Sequence, residues 1–151
     1  MSIKIKRLSA YIKKPDIKEA TKEDILKASA IHICDVQKGC AFIANKIIEA
    51  GINHDHTKIS LIDNLFDEKS NKYIGVQDHV SRERHHSVHI DAQCPDDVTL
   101  IDIIEYIVDV NMAATARNGR VSDAPISDEI LQKAYKNTFE MLKKEIIVEN
   151  D

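Results

Sequence analysis

Ile33, Val36, Cys40, Ile43 and Ile47 recur at alternating steps of three and four residues, a spacing that predicts one long amphipathic helix ending at Gly51. Thr21 and Asp24, three residues apart, can cap its first turn. His32 lies about 40° around this helix from Val36, on the border of the face expected to be buried, so its side chain can point inward. After the Gly51-Ile52-Asn53 break, Ile59, Leu61, Ile62, Leu65 and Phe66 predict a shorter helix, opened by His54 and Asp55 and closed by residues 67–71. The stretch from Tyr73 to Pro95 is less regular and predicts helical turns. Asp96, Asp97 and Thr99 then offer caps for a helix from Leu100 to about Arg117, stopped by Asn118-Gly119. Asp128-Glu129 opens a last helix, residues 128–148, whose apolar face is Leu131, Ala134, Thr138, Met141 and Leu142. It is most simply a packing helix, though an amphipathic helix of this kind can serve a homodimer as easily as a core.

The helix after Thr99 has few polar positions and is expected to be buried on most sides. Asp102, Glu105 and Asp109 are its exceptions, and their spacing puts them on one stripe. Buried carboxylates repel one another unless a cation faces them, so a metal ion, a Lys or an Arg is implied opposite.

Length and composition narrow the class. A chain of 151 residues reads as a single domain, with residues 1–20 as a short N-terminal extension, large enough to bury a core without staples. Abundant Ile, Leu, Val and Ala with no Trp suit an all-α fold. A net charge of −4 argues against broad nucleic-acid binding, which needs a basic footprint. Cys34, Cys40 and Cys94 show no paired Cys-x-x-Cys spacing and suggest neither a disulfide framework nor a zinc knuckle. The first fourteen residues lack the apolar run of a signal peptide, and nowhere do roughly 18 apolar residues follow one another. Cytoplasmic localisation without membrane contact is the expectation.

Histidine placement carries the chemistry. His32, His54, His56, His79, His85, His86 and His89 are the chain's seven, and none follows residue 89. A hydrolytic metal site needs neutral imidazoles and carboxylates from several elements, because no single helix surrounds an ion. His32, the adjacent pair His54-Asp55, and Asp109 inside an apolar helix meet that need. An unpaired carboxylate at Asp109 would be costly to bury. Asp55 could equally cap the helix it precedes, a role compatible with ligation. His56 reads as exposed, His89 as solvent-facing or outside the ligand set, and Arg82-Glu83-Arg84 as a solvated face.

The order His, His-Asp, Asp resembles the HD superfamily of metal-dependent phosphohydrolases, an all-helical fold named after that adjacent pair. His54-Asp55-His56-Thr57-Lys58 is similar to the His-Asp-x-Gly-Lys motif of the HD-GYP branch, and His79 with His85-His86 resembles its additional ligands. Asp109-Val110-Asn111-Met112-Ala113-Ala114-Thr115 is similar to its Asp-x-x-Asp-Ala-Leu-Thr segment. Thr57 stands where that motif has Gly, Met112 replaces its second Asp, and Ser87 follows His86 in place of the Gly-Tyr-Pro signature. Cyclic di-GMP specificity is therefore unsupported.

The resemblance implies an HD-like helical bundle that hydrolyses a small phosphoester, nucleotide-like in kind. It implies two divalent ions (Mn, Fe, Ni, Co, Zn or Mg) held by His32, His54, Asp55, His79, His85, His86 and Asp109. Asp55 would bridge the ions, Lys58 would donate to a phosphate oxygen, and Arg117 and Arg120 are candidates for substrate phosphate contacts. The rival expectations are a non-catalytic metal- or ligand-binding regulatory module on a degenerate HD fold, and a helical scaffold whose histidines are incidental.

Overall fold

A computed structural model of the protein describes residues 2–6, 20–70, 72–90 and 93–149, which are largely α-helical and divide into two compact units. No described helix is long and apolar enough to cross a membrane.

The first unit comprises residues 1–45 and 140–151. Strand β1 (Ile3–Lys6) pairs in parallel with β4 (Ile146–Glu149), Ile3 opposite Ile146 and Lys6 opposite Glu149. Helix α1 (Lys22–Asn53) begins here with the expected reciprocal cap: Asp24 N–H donates to Thr21 Oγ1 at 3.2 Å, and Thr21 N–H donates to Asp24 Oδ2 at 3.1 Å. Ile3, Ala28 and Phe42 are its buried apolar residues. The expected buried face is not realised in this unit, because Ile33 is 57% exposed and Val36 49%. Helix α1 also runs through Gly51 to Asn53. Most of the expected extension, residues 7–19, lies outside the described residues.

The second unit, residues 46–139, holds two short helices, α2 (His56–Ser60) and α3 (Ile62–Leu65), followed by a small antiparallel pair, β2 (Phe66–Asp67) with β3 (Lys72–Tyr73). Helix α4 (Val76–Arg82), a 3-10 turn (Arg84–His86) and helix α5 (Leu100–Asn118) come next. Its core is built from Val88, Val98, Ile103, Tyr106, Ile130 and Ala134. Thr99 and Asp102 form a capping box at the start of α5, and Gly119, with φ 68°, ends that helix in the left-handed conformation that glycine adopts without strain.

Helix α6 (Asp128–Glu145) is tied to the start of α5 by polar bonds. Leu100 N–H donates to Thr138 Oγ1 at 2.9 Å, and Asn137 Nδ2 donates to Asp96 O and Val98 O at 2.9 and 2.8 Å. Its buried face includes Ala134 and Thr138 as expected, with Met141 and Leu142 partly buried, but it opens on Ile130, while Leu131 stays 39% exposed. The helix stops at Glu145 because Ile146, Ile147 and Val148, β-branched residues, continue as β4. Helix α5 is buried at Ile101, Ile103 and Tyr106, but Ile107, Val108 and Met112 are exposed, so it is covered on fewer sides than its sequence suggests.

One close approach sets the position of α4. Leu65 is buried and its carbonyl accepts from both Ile74 N–H and Gly75 N–H, at 2.7 and 3.0 Å. A Cβ on Gly75 would stand 2.8 Å from Leu65 Cα and Cβ, so only glycine fits there. The chain leaves this clamp directly into α4 and the 3-10 turn, which carry three of the histidines.

Candidate metal centre

Asp55 sits in the turn between α1 and α2 at φ 53° and ψ 19°, and it is the one non-glycine residue with positive φ among the described residues. Although it occupies the N-cap position of α2, its side chain makes no capping bond. The carboxylate points instead into a ring of imidazoles.

Asp55 Oδ1 lies 3.0 Å from His79 Nε2, 3.6 Å from His86 Nε2 and 3.7 Å from His85 Nε2. Its other oxygen, Oδ2, is 3.6 Å from His54 Nε2 and forms an ion pair with Lys58 Nζ. Asp109, one helix away on α5, closes the far side: Oδ1 is 3.4 Å from His54 Nε2 and Oδ2 is 3.8 Å from His85 Nε2. The imidazoles of His54 and His85 have centroids 4.5 Å apart, and those of His85 and His86 are 4.1 Å apart.

A second layer holds the rings. Glu105 Oε1 is 3.0 Å from His54 Nδ1 and 3.1 Å from His85 Nδ1. A carboxylate only accepts, so each Nδ1 donates and each Nε2 is left to face Asp55 and Asp109. On the other side Thr57 Oγ1 is 2.9 Å from His79 Nδ1 and donates to Glu83 Oε1 at 2.5 Å.

Burial and charge compete over these groups. Burial is the largest influence on Asp55 and would raise its carboxyl, but the Lys58 bond and charge, helped by His54 and His79, bring it below the usual range. Glu105 behaves alike: burial raises it, and the bonds from His85 and His54 hold it low. His79 and His86 are pushed down, chiefly by burial, which favours their neutral forms. His85 is also depressed by burial, yet the Glu105 bond and charge, with Asp109 and Asp55, carry it above its ordinary value.

Among the described residues two groups of side chains are near enough to hold a cation, His54 with His85 and Glu105, and Asp55 with His85 and His86, their ligand atoms lying within 4.8 Å of one another. The fit is also chemical. Asp55 Oδ1 and His85 Nε2 are the buried side-chain polar atoms that no hydrogen bond reaches among the described residues. Such atoms are costly unless an ion or water meets them, and imidazole with carboxylate is a donor set suited to divalent transition metals.

Of the residues that the sequence proposed, His54, Asp55, His79, His85, His86 and Asp109 come together, with Lys58 attached through Asp55. His32 does not join them in either group: it is exposed in the first unit, on the stretch of α1 where Ile33 and Val36 are exposed too. Arg120 is exposed, and Arg117 is exposed with Nε donating to Ala113 O at 3.2 Å. Arg117 also lines a shallow cavity of about 270 Å³ with Asp109. His56 is exposed as expected, and His89 stacks on Tyr106 with ring centroids 4.9 Å apart.

Sequence reasoning left Glu105 outside the ligand set, although its place on the acidic stripe was the available signal. It took Thr57 as a departure from a motif and Glu83 as part of a solvated face; both contact the site. Arg84, read the same way, binds Asp97 and Asp102.

A cleft of about 230 Å³ opens beside the cluster, lined by Ile47, Ala50 and Gly51 of α1, by His54, and by Ile101, Ile104, Glu105, Val108, Asp109 and Met112 of α5. Its polar side chains are therefore cluster residues, and the remaining walls are apolar. The chain matches no protein-family model, no curated protein and no solved structure.

Proposed function

We propose that this protein is a metal-dependent phosphohydrolase, a phosphodiesterase or phosphatase acting on a nucleotide or similar small phosphoester through two divalent ions. The reading follows the HD-type motif in the sequence, and one observation carries it: Asp55 Oδ1 faces the Nε2 atoms of His79, His85 and His86 with no hydrogen bond to satisfy it. In this reading His54, His85 and Asp109 would hold one ion, His79 and His86 would hold the other, and Asp55 would contribute its carboxylate.

Bound divalent ions would supply Lewis-acid polarisation of the phosphoryl group and a hydroxide available near neutral pH. The chain's own residues do the rest. Glu105 keeps His54 and His85 with Nε2 inward. Lys58, now the counter-charge of Asp55, is half-exposed and can donate to a non-bridging phosphate oxygen once that charge is otherwise balanced. The apolar cleft between Ile104, Val108 and Met112 takes the organic part of the substrate.

A second reading has its own support. Lys58 already neutralises Asp55, and Ser87 stands where the resembling branch continues toward its Gly-Tyr-Pro signature. A degenerate HD fold that binds a metal or ligand for regulation, without turnover, would show both.

The test is elemental analysis of tag-free protein purified without chelator, beside Asp55→Ala, followed by a phosphoester screen. Two ions per chain, lost in the variant, with turnover of a phosphoester, is the expected result. Bound metal without turnover would favour the regulatory module. No metal in either protein after incubation with Mn or Fe would overturn the proposal.

A further inference from the structure

The pair Thr57 and Glu83 does something that the motif comparison does not account for. Thr57 is buried, and its hydroxyl lies between Glu83 Oε1 at 2.5 Å and His79 Nδ1 at 2.9 Å. A hydroxyl has one proton, and a carboxylate accepts only. The Thr57 proton therefore goes to Glu83, which also takes the Thr57 N–H at 3.3 Å. That leaves Thr57 Oγ1 able only to accept, so His79 must carry its proton on Nδ1. Its Nε2 is then a bare lone pair, 3.0 Å from Asp55 Oδ1 and 2.9 Å from His86 Nε2.

Had Thr57 been free to donate to Nδ1, the opposite tautomer would have been allowed, and a proton on His79 Nε2 would have faced His86 Nε2 at 2.9 Å. The carboxylate of Glu83 removes that option. Its own burial is incomplete and it lies at the end of α4, so a positioning role explains its orientation better than packing does.

We infer that Thr57 and Glu83 are positioning residues that fix His79 in the Nδ1–H tautomer, so that its Nε2 is presented to a cation shared with Asp55 and His86. This rests on the metal-centre reading above. The Thr at this position thus substitutes for the missing Gly of the resembling motif with a function of its own. It bears on one half of the cluster, because His54 and His85 are oriented separately by Glu105.

The test uses the full chain with three variants, Thr57→Val, Thr57→Ser and Glu83→Leu, and two readouts. Nitrogen NMR of chelator-treated protein reports the His79 tautomer directly, and Mn titration counts the ions and their affinities. Expected is the Nδ1–H form in wild type and in Thr57→Ser. Thr57→Val and Glu83→Leu should populate the Nε2–H form and weaken one of two ions about 10- to 100-fold while leaving the other within twofold. Glu83→Leu keeps the buried Thr57 in place, so it decides the matter if Thr57→Val does not fold. Wild-type protein that binds two ions with His79 in the Nε2–H form would overturn this inference alone. Wild-type protein with the Nδ1–H form and no bound ion would overturn the metal-centre reading and the positioning role with it. Equal loss of both ions in Glu83→Leu would also overturn the assignment to one half.

Discussion

Arg84 grips Asp102 through two bonds, Nε to Oδ1 at 2.9 Å and Nη2 to Oδ2 at 3.3 Å, and the same guanidinium reaches Asp97 Oδ1 through Nη1 at 3.0 Å. The acidic stripe of α5 is thereby divided. Asp102 is neutralised by an arginine, whereas Glu105 and Asp109 face histidines. The stripe thus meets partners of two kinds on one helix, and only the half beyond Asp102 belongs to the candidate metal centre.

Acid stability should report the Arg84–Asp102 pair. Burial, the largest influence, would raise Asp102, but the Arg84 bond, the Thr99 backbone and hydroxyl bonds and the Arg84 charge bring it below its ordinary 3.8. A folded pKa below the unfolded one gives stability that is fully present above pH ~4 and is lost as pH falls through the folded value. Asp102→Asn should cost about 1–3 kcal/mol at neutral pH, and its difference from wild type should shrink as pH falls below ~4. Urea melts between pH 2 and 7 check this; a constant difference throughout would contradict it.

Glu105 anchors two imidazoles at once. Its replacement by Ala should free both rings and lower metal affinity about 10- to 100-fold, while Gln, which retains an acceptor oxygen, should lose less. Competition against a chromogenic chelator measures both. Unchanged affinity in Glu105→Ala would mean that the rings are held by packing alone.

Gly75→Ala forces a methyl group against Leu65, whose carbonyl is already bonded to the Ile74 and Gly75 amides, so neither side can retreat cheaply. Destabilisation of about 1–3 kcal/mol is expected, read by thermal or urea unfolding. Leu65→Ala removes only the Cδ2 part of the contact, since its Cα and Cβ remain, and it opens a cavity, for which about 2–5 kcal/mol is expected alone. The double variant should lose less than the sum of the two, because both act on one contact.

The cleft beside the cluster can be probed without touching a ligand. Val108 is half-exposed on its wall, and Val108→Glu places a charge where the walls are apolar. For the phosphoester found in the screen, KM should rise about tenfold, roughly 1.4 kcal/mol, with metal content unchanged. An unchanged KM would remove this cleft from the substrate's path.

Much of the candidate site was legible because its side chains are rare residue types at telling intervals. His54-Asp55, His79, His85-His86 and Asp109 could be named before any coordinate, and the helix ends at Thr21 and Gly119 follow from local capping chemistry. Contacts across long stretches of chain were not legible. Thr57 meets Glu83 over 26 residues and Arg84 meets Asp102 over 18, and nothing in the local pattern distinguishes those side chains from a solvated face. The β1–β4 pairing joins opposite ends of the sequence, which periodicity cannot detect. His32 was placed from the phase of an apolar repeat, and that phase fails where Ile33 and Val36 are exposed. Leu131 failed by one residue for the same reason: an apolar stripe wider than the buried face does not say which edge is covered.

Under the proposed function, the left-handed backbone of Asp55 sets heat resistance against metal binding at a single codon. A side chain there costs about 1–2 kcal/mol relative to glycine, and its carboxylate adds a buried oxygen that nothing in the fold satisfies. A library sorted only for survival at high temperature should therefore enrich Gly or Asn at this codon early, and the winners should be the clones that have lost metal binding. Retention of Asp55 under such sorting with a divalent metal in the medium, and its loss when a chelator is added, would reveal what the residue is kept for.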